Sequence, residues 1–284
     1  MKPVLLITMG DPAGIGPEVV VKALKHPKTQ EGCLPVVVGD TKPIIDALRF
    51  TDSDLKLKVI GALEEAKGEA GTLELIDLDK LHGNTYSPGK VSALCGEAAF
   101  CYVTHAIGLC MQGRAAGVAT APLNKEAMHL AGHMYSGHTE IFADYTHTCD
   151  YAMLLMSGGL RVIHCTTHVS MREACDLIKT ERVLKTILLA HEALEMLGMP
   201  NGKIGVAGLN AHASENGLFG HEEAEAIIPA IEKARAMGID AEGPVPPDTV
   251  FVKAAGGVYD IVVAMYHDQG HIPLKLFGFR MDPI

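Results

Sequence analysis

Three histidines stand just beyond three short apolar runs: His168 in Thr166-Thr-His168, His212 in Gly208-Leu-Asn-Ala-His212 and His267 in Tyr266-His-Asp-Gln-Gly270. Their neighbours are small or polar. Three imidazoles converging from strand ends would form a divalent-metal site with positions left open for a substrate. A cation held there could polarise a hydroxyl and stabilise an alkoxide or enolate. Near them lie Asp248 in Pro246-Pro-Asp-Thr249, Asp268, and Lys275 in Pro273-Leu-Lys-Leu-Phe277. These three are the candidates for catalytic proton transfer. Asp268 could equally be a partner of His267 or a metal-side carboxylate. A turn or capping role accounts for either Asp as well, and a solvated strand charge for Lys275.

A second cluster, Ser136-Gly-His-Thr-Glu140, puts His138 and Thr139 at a predicted helix start, a place suited to binding an anion. A plain cap with a surface histidine is the competing reading. The loop Thr8-Met-Gly-Asp-Pro-Ala-Gly-Ile-Gly-Pro-Glu18 has three glycines between a strand and a helix. Gly10, Gly14 and Gly16 miss both the dinucleotide spacing and the Walker A pattern, so a tight turn explains them as well as a ligand loop does. His191-Glu192 and His221-Glu222 begin the helical metalloprotease motif, but Glu195 and Glu225 occupy the place of its second histidine. Gly270 argues against a regular helix carrying His267 and His271 as a zinc pair. His26, His82, His129, His133 and His191 are read as structural.

The elements that must position these groups alternate. Strands are predicted at Val4–Thr8, Leu34–Val38, Leu57–Ile60, Leu73–Leu78, Ala116–Thr120, Ala152–Met156, Arg161–Thr166, Lys203–Ala207 and Ile261–Tyr266. Helices are predicted from Pro17 to about Lys25, at 42–49, within 91–112, at Thr180–Leu197 and at Glu222–Met237. Such alternation argues for mostly parallel sheets covered by helices, with ligands at the carboxyl ends of the strands. No repeat or linker is evident. The two domains expected from the length are therefore interleaved, with crossings near Lys125 and Lys275: one α/β domain of 1–125 plus 276–284, and a second of 126–275.

The 284 residues are 48% hydrophobic, enough for a large core, and carry a net charge of −10, which disfavours nucleic acid as a partner. The seven cysteines are odd in number and form no Cys-x-x-Cys, so reduced thiols in a cytoplasmic setting are expected. No signal peptide is expected at the N-terminus. No apolar run of about 18 residues is expected either, which argues against a membrane partner.

Taken in order, the clusters resemble the 4-hydroxythreonine-4-phosphate dehydrogenase family, including its branch acting on 4-phospho-threonate or 4-phospho-erythronate. The matching stretches are Ile7 to Glu18, Ser136 to Glu140, Thr166 to His168, Gly208 to Gly217, Gly243 to Thr249 and Ala264 to Gly270. The resemblance implies His168, His212 and His267 as ligands of a divalent metal (Zn, Co, Ni, Mn or Mg). It implies His138, Thr139 and Lys275 as substrate contacts. It also implies a two-domain α/β/α fold similar to isocitrate and isopropylmalate dehydrogenases, with 1–125 plus 276–284 as the cofactor-side domain and 126–275 as the metal, substrate and dimerisation domain, and a homodimer whose site draws on both subunits. The implied reaction is oxidation, with decarboxylation, of a phosphorylated 3-hydroxy acid by NAD, with NADP possible and the cofactor residues unidentified. Ala211 stands where the family usually has Pro, and Ser214 where it usually has Gly. The family continues for several dozen residues past Ile284, which implies impaired cofactor binding in the chain as written. A non-phosphorylated dihydrodiol carboxylate as substrate, a non-catalytic metal- or phosphometabolite-binding remnant, and a metallohydrolase are the competing functions.

Overall fold

Strand β1 (Val4–Thr8) is an unbroken apolar run, and such runs are buried on both faces in parallel sheets. In the computed structural model, which describes residues 2–83 and 86–278, it pairs in parallel with β2 (Leu34–Gly39) on one side and β5 (Gly117–Thr120) on the other. With β3 (Lys56–Ile60) and β4 (Thr72–Asp77) they make a five-stranded parallel sheet in the order β3-β4-β2-β1-β5. Helices α1 (Gly16–Lys25), α2 (Thr41–Phe50), α3 (Ala93–Met111), α4 (Lys125–Leu130) and α5 (His138–Tyr145) complete this first unit, 1–149.

Among the described residues, α3 is long and apolar enough to cross a membrane by length and composition, contrary to the expectation that no such run exists. More than half of it is buried. Cys95, Ala98, Tyr102, Val103 and Ala106 are sealed in the unit's interior, so it is a core helix of this unit. Ser92 caps it by accepting from Cys95 N at 3.3 Å. Gly96 lets the α4 backbone lie directly on it: an added Cβ would stand 2.0 Å from the Ala127 carbonyl oxygen.

The second unit, 150–284, has its own sheet, in the order β6-β7-β10-β8-β9. Its strands are β6 (Leu154–Ser157), β7 (Leu160–His164), β8 (Ile204–Ala207), β9 (Ala241–Val245) and β10 (Ile261–Ala264). All pairings are parallel except the β6–β7 hairpin. Its helices are α6 (Met171–Leu177), α7 (Thr180–Met196), α8 (Ile228–Ala236), α9 (Pro247–Ala255) and α10 (His267–Gly278). A π-helical turn, Glu223–Ile227, leads into α8.

Of the elements that differ from expectation, three bear on the site. Strand β9 hides behind Gly243-Pro244 in its sequence, a pair depleted in strands and tolerated here at a sheet edge. Strand β10 ends at Ala264, not Tyr266. Above all, α10 runs through Gly270 and Pro273. Pro273 costs it one backbone bond. Gly270 is needed because a Cβ there would lie 2.4 Å from His164 Nε2 and 2.6 Å from Val162 Cγ1, so only glycine lets the helix rest on β7. Lys275 is consequently an exposed helical residue, not a strand charge. Residues 279–284, most of the segment expected to return to the first domain, lie outside the described residues.

His164 is wholly buried on β7. Its Nδ1–H donates to the Met153 carbonyl at 3.1 Å, while Nε2 has no partner. Burial pushes its pKa down to about 4, helped by the neighbouring His271 and His267. The unfolded chain takes up a proton near the ordinary value of about 6.5, before the folded chain does. Stability is therefore whole above that value and lost as pH falls towards 4. The expected loss is about 3 kcal/mol from this residue, at roughly 1.4 kcal/mol per pH unit. Urea midpoints at several pH values should show a flatter acid slope in His164→Leu than in the parent; equal slopes would remove His164 as the cause. His105, His138 and His271, also lowered by burial, leave a residual slope of the same sign.

Candidate functional site

The order of the second sheet sets β7, β10 and β8 side by side, so the loops bearing His168, His267 and His212 leave neighbouring carboxyl ends. The first two loops are stitched together: Thr166 donates to the Met265 carbonyl from its backbone N at 3.2 Å and from Oγ1 at 2.9 Å. Gln269, buried under them, joins the third. Its Oε1 accepts from Met265 N at 2.6 Å, and its Nε2 donates to the Gly208 carbonyl at 2.8 Å. Glu223 is 1% exposed, and its Oε1 accepts from Leu209 N and Asn210 N at 2.8 and 2.7 Å. Asn210 Nδ2 donates to Oε2 of Glu223 at 2.9 Å and to Glu222 at 2.7 Å. A buried carboxylate so fully bonded is a structural anchor, and it fixes the loop that leads to His212. Sequence reasoning missed both Gln269 and Glu223. Their signal was a polar residue next to a strand end or a helix start, which alone does not distinguish an anchor from a solvated side chain.

His267 opens α10 and His168 sits in a left-handed conformation, φ 53°. Their ring centres are 5.6 Å apart beside a cavity of about 280 Å³, which Thr166, Met171, Tyr266 and Asp268 help to line. His267 Nδ1–H donates to Asp268 Oδ1 at 2.7 Å, so Asp268 is placed as the partner that fixes the ring's tautomer and leaves Nε2 free. His271, one turn on, stacks on His267 with centres 3.7 Å apart. Lys275 follows after a further turn.

The structure brings two of the three predicted metal ligands together and not the third. His212 is 62% exposed, its Nδ1 lies 3.4 Å from Glu215 Oε2, and its ring meets Phe219 edge-on. It begins a run of five left-handed residues, 212–216, with φ between 45° and 63°. Each costs a non-glycine residue about 1 kcal/mol or more, so surrounding bonds must hold the run. Among the described residues, no three His, Cys, Asp or Glu side chains gather closely enough to hold one ion. Asp248 is exposed in the first turn of α9, which packs beside 211–215 and so accompanies His212.

In the first unit, His138 and Thr139 occupy the first turn of α5, whose cap, Gly137, has no side chain to satisfy the free N–H groups. His138 Nε2 is buried without a partner, and burial lowers the ring's pKa, keeping it neutral. An uncapped helix start beside an orphaned imidazole nitrogen suits an anionic, hydrogen-bonding ligand. The glycine loop after β1 is explained by packing. Gly10 (φ 76°) would place a Cβ 2.3 Å from the Pro122 carbonyl oxygen, to which Asp11 N donates at 3.0 Å. A cavity of about 430 Å³ lies by the ends of β2 and β4. Its principal carboxylates are already bonded, Asp40 to Lys80 N and Leu81 N, and Asp77 to Asp79 N and Thr41. It is a weaker candidate than the histidine pair.

Residues 31–282 match the family described as pyridoxal phosphate biosynthetic protein PdxA. The chain is 49% identical, over 280 residues, to a D-threonate 4-phosphate dehydrogenase of Cupriavidus necator, spanning 98% of this chain and 84% of that protein. Its fold matches the crystal structure of a 4-hydroxythreonine-4-phosphate dehydrogenase from Klebsiella pneumoniae with a TM-score of 0.90 at 46% identity, covering 99% of this chain and 85% of that one. A 4-hydroxythreonine-4-phosphate dehydrogenase from Burkholderia phymatum matches with a TM-score of 0.88 at 44% identity, covering 100% and 85%.

Proposed function

The chain belongs to the PdxA family of pyridoxal phosphate biosynthetic proteins, and from that premise we propose that it is a dehydrogenase of a 4-phosphorylated 3-hydroxy acid, D-threonate 4-phosphate in first place. The observation that carries this reading is identity near one half, across almost the whole chain, to a relative named for that substrate. NAD, or NADP in its place, would take up the hydride from C3 as the hydroxyl gives up its proton; the resulting 3-oxo acid would lose its carboxylate as CO2, and the enolate left behind would take up a proton at C2.

The donor set of the second unit fits a divalent cation as far as two ligands. A metal–nitrogen distance of about 2 Å lets one ion reach two rings this close, and Asp268 keeps the Nε2 lone pair of His267 free. His168 and His267 would hold the ion. The exposed His212 would complete the set across a homodimer whose site is shared. When bound, the ion supplies Lewis-acid stabilisation of charge developing on the C3 oxygen, and imidazole ligands suit Zn, Co, Ni or Mn, with Mg less matched to nitrogen. In this reading the start of α5, with the neutral His138 ring and the Thr139 hydroxyl, binds substrate oxygens. Lys275 would offer an ammonium to a substrate anion, and Asp248 and Asp268 are the carboxylates that would accept a proton. A cytoplasmic setting follows from the same reading.

The test is NADH formation with D-threonate 4-phosphate, D-erythronate 4-phosphate and 4-hydroxythreonine 4-phosphate, each beside its unphosphorylated form. Metal-dependent NADH from a phosphorylated substrate, with little from its unphosphorylated form, is expected. Turnover independent of the phosphate would favour a dihydrodiol-type substrate. No NADH with any substrate, metal or nicotinamide would sink the dehydrogenase reading.

A further inference from the structure

We infer that His271 is a positioning residue for His267, a ring platform that holds the His267 imidazole towards His168. The inference rests on the reading of His168 and His267 as ligands. The two residues lie one turn apart on α10, with ring planes only 12° apart and centres 3.7 Å apart. Face-to-face contact at this distance blocks the rotations that would tip the His267 ring out of the pocket. His271 is itself fixed. It is 8% exposed, and its Nδ1–H donates to the backbone carbonyl of His267 at 3.0 Å.

Behind it stands the wholly buried His164, with ring centres 4.8 Å apart, and His164 is tied to the Met153 carbonyl. Support thus passes from the sheet interior through His164 and His271 to His267. Gly270 permits it, since any Cβ there would strike His164. Asp268 and His271 restrain different motions: the carboxylate, bonded to Nδ1, sets tautomer and in-plane direction, and the stacked ring sets the plane. An aliphatic side chain at 271 would fill the space without presenting a flat face. Phenylalanine would keep the face and lose only the bond to the His267 carbonyl.

The test is Co²⁺ titration of the full chain against a competing chelator, reading affinity and the visible absorption bands, with ring-proton NMR of the metal-free chain. His271→Leu is expected to weaken Co²⁺ binding by about 10- to 100-fold, as loss of a ligand's support typically does. It should also change the band pattern and erase the upfield ring-current shift of His267. His271→Phe is expected to recover most of the affinity and the shift. If His168→Ala and His267→Ala abolish binding while His271→Leu leaves affinity, bands and ring shift unchanged, this inference alone is overturned. If those two alanine variants bind Co²⁺ like the parent, the ligand reading fails and the inference falls with it.

Discussion

His267→Ala is expected to lower kcat/KM for the phosphorylated substrate by about 10³-fold while leaving the thermal midpoint nearly unchanged. Lewis-acid stabilisation of a developing oxyanion contributes several kcal/mol, and each 1.36 kcal/mol is a factor of about ten in rate. The ring stands at the first position of α10 with its side chain one third exposed, so its removal leaves no sealed cavity. His168→Ala should match it, because the two ring centres lie 5.6 Å apart beside the same cavity. In Asp268→Asn the amide oxygen can still accept from Nδ1–H but cannot take up a proton, so a smaller loss than that of His267→Ala is expected if Asp268 only orients the ring, and an equal one if it is the base. Steady-state kinetics beside metal content per chain checks this. A His267→Ala protein with parental kcat/KM and metal content would remove the histidine pair from the chemistry.

Gly96→Ala is expected to be strongly damaging to the first unit. Alanine in place of glycine within a helix ordinarily gains about 1 kcal/mol. Here the added carbon would sit 2.0 Å from the Ala127 carbonyl oxygen and 2.6 Å from Met128 N, backbone atoms that no rotamer change can move aside. Overpacking costs about 1–3 kcal/mol where side chains can yield, and more where backbone must shift. The net loss should exceed about 2 kcal/mol, with α4 displaced from α3. Urea denaturation of Gly96→Ala beside Gly108→Ala on the same helix, whose Cβ would meet nothing within 4 Å, separates packing from propensity. Equal midpoints would refute the packing argument.

Much of this was legible in the sequence because the chain obeys simple periodicity. Apolar runs such as Val4–Thr8 and Ile261–Ala264 formed buried parallel strands, and each of the three histidines does follow one. What the sequence could not display is strand order. That β10 lies between β7 and β8, making the three loops neighbours, is a tertiary fact. Local rules misled where tertiary packing overrode them. Gly270 and Pro273 read as helix breakers, yet glycine was the only residue able to let α10 meet His164. With that helix hidden, the shared face of His267, His271 and Lys275 was hidden too. Gly243-Pro244 concealed β9 in the same way. Ser214, noted as a departure from a usual glycine, proves to be one of the left-handed residues, where glycine would be unstrained.

The insertion of β10 between β7 and β8 also has a consequence for biogenesis. Val262 pairs with Val162, one hundred residues earlier, and Ile261 with Ile204. Until the ribosome has delivered the segment beyond residue 260, β7 and β8 each present a raw apolar edge to the cell, and bare edges invite pairing with other chains. Closing so long a span is slow. The nascent second unit is therefore a natural client for chaperones, and the histidine pair can exist only once that late strand has slotted home.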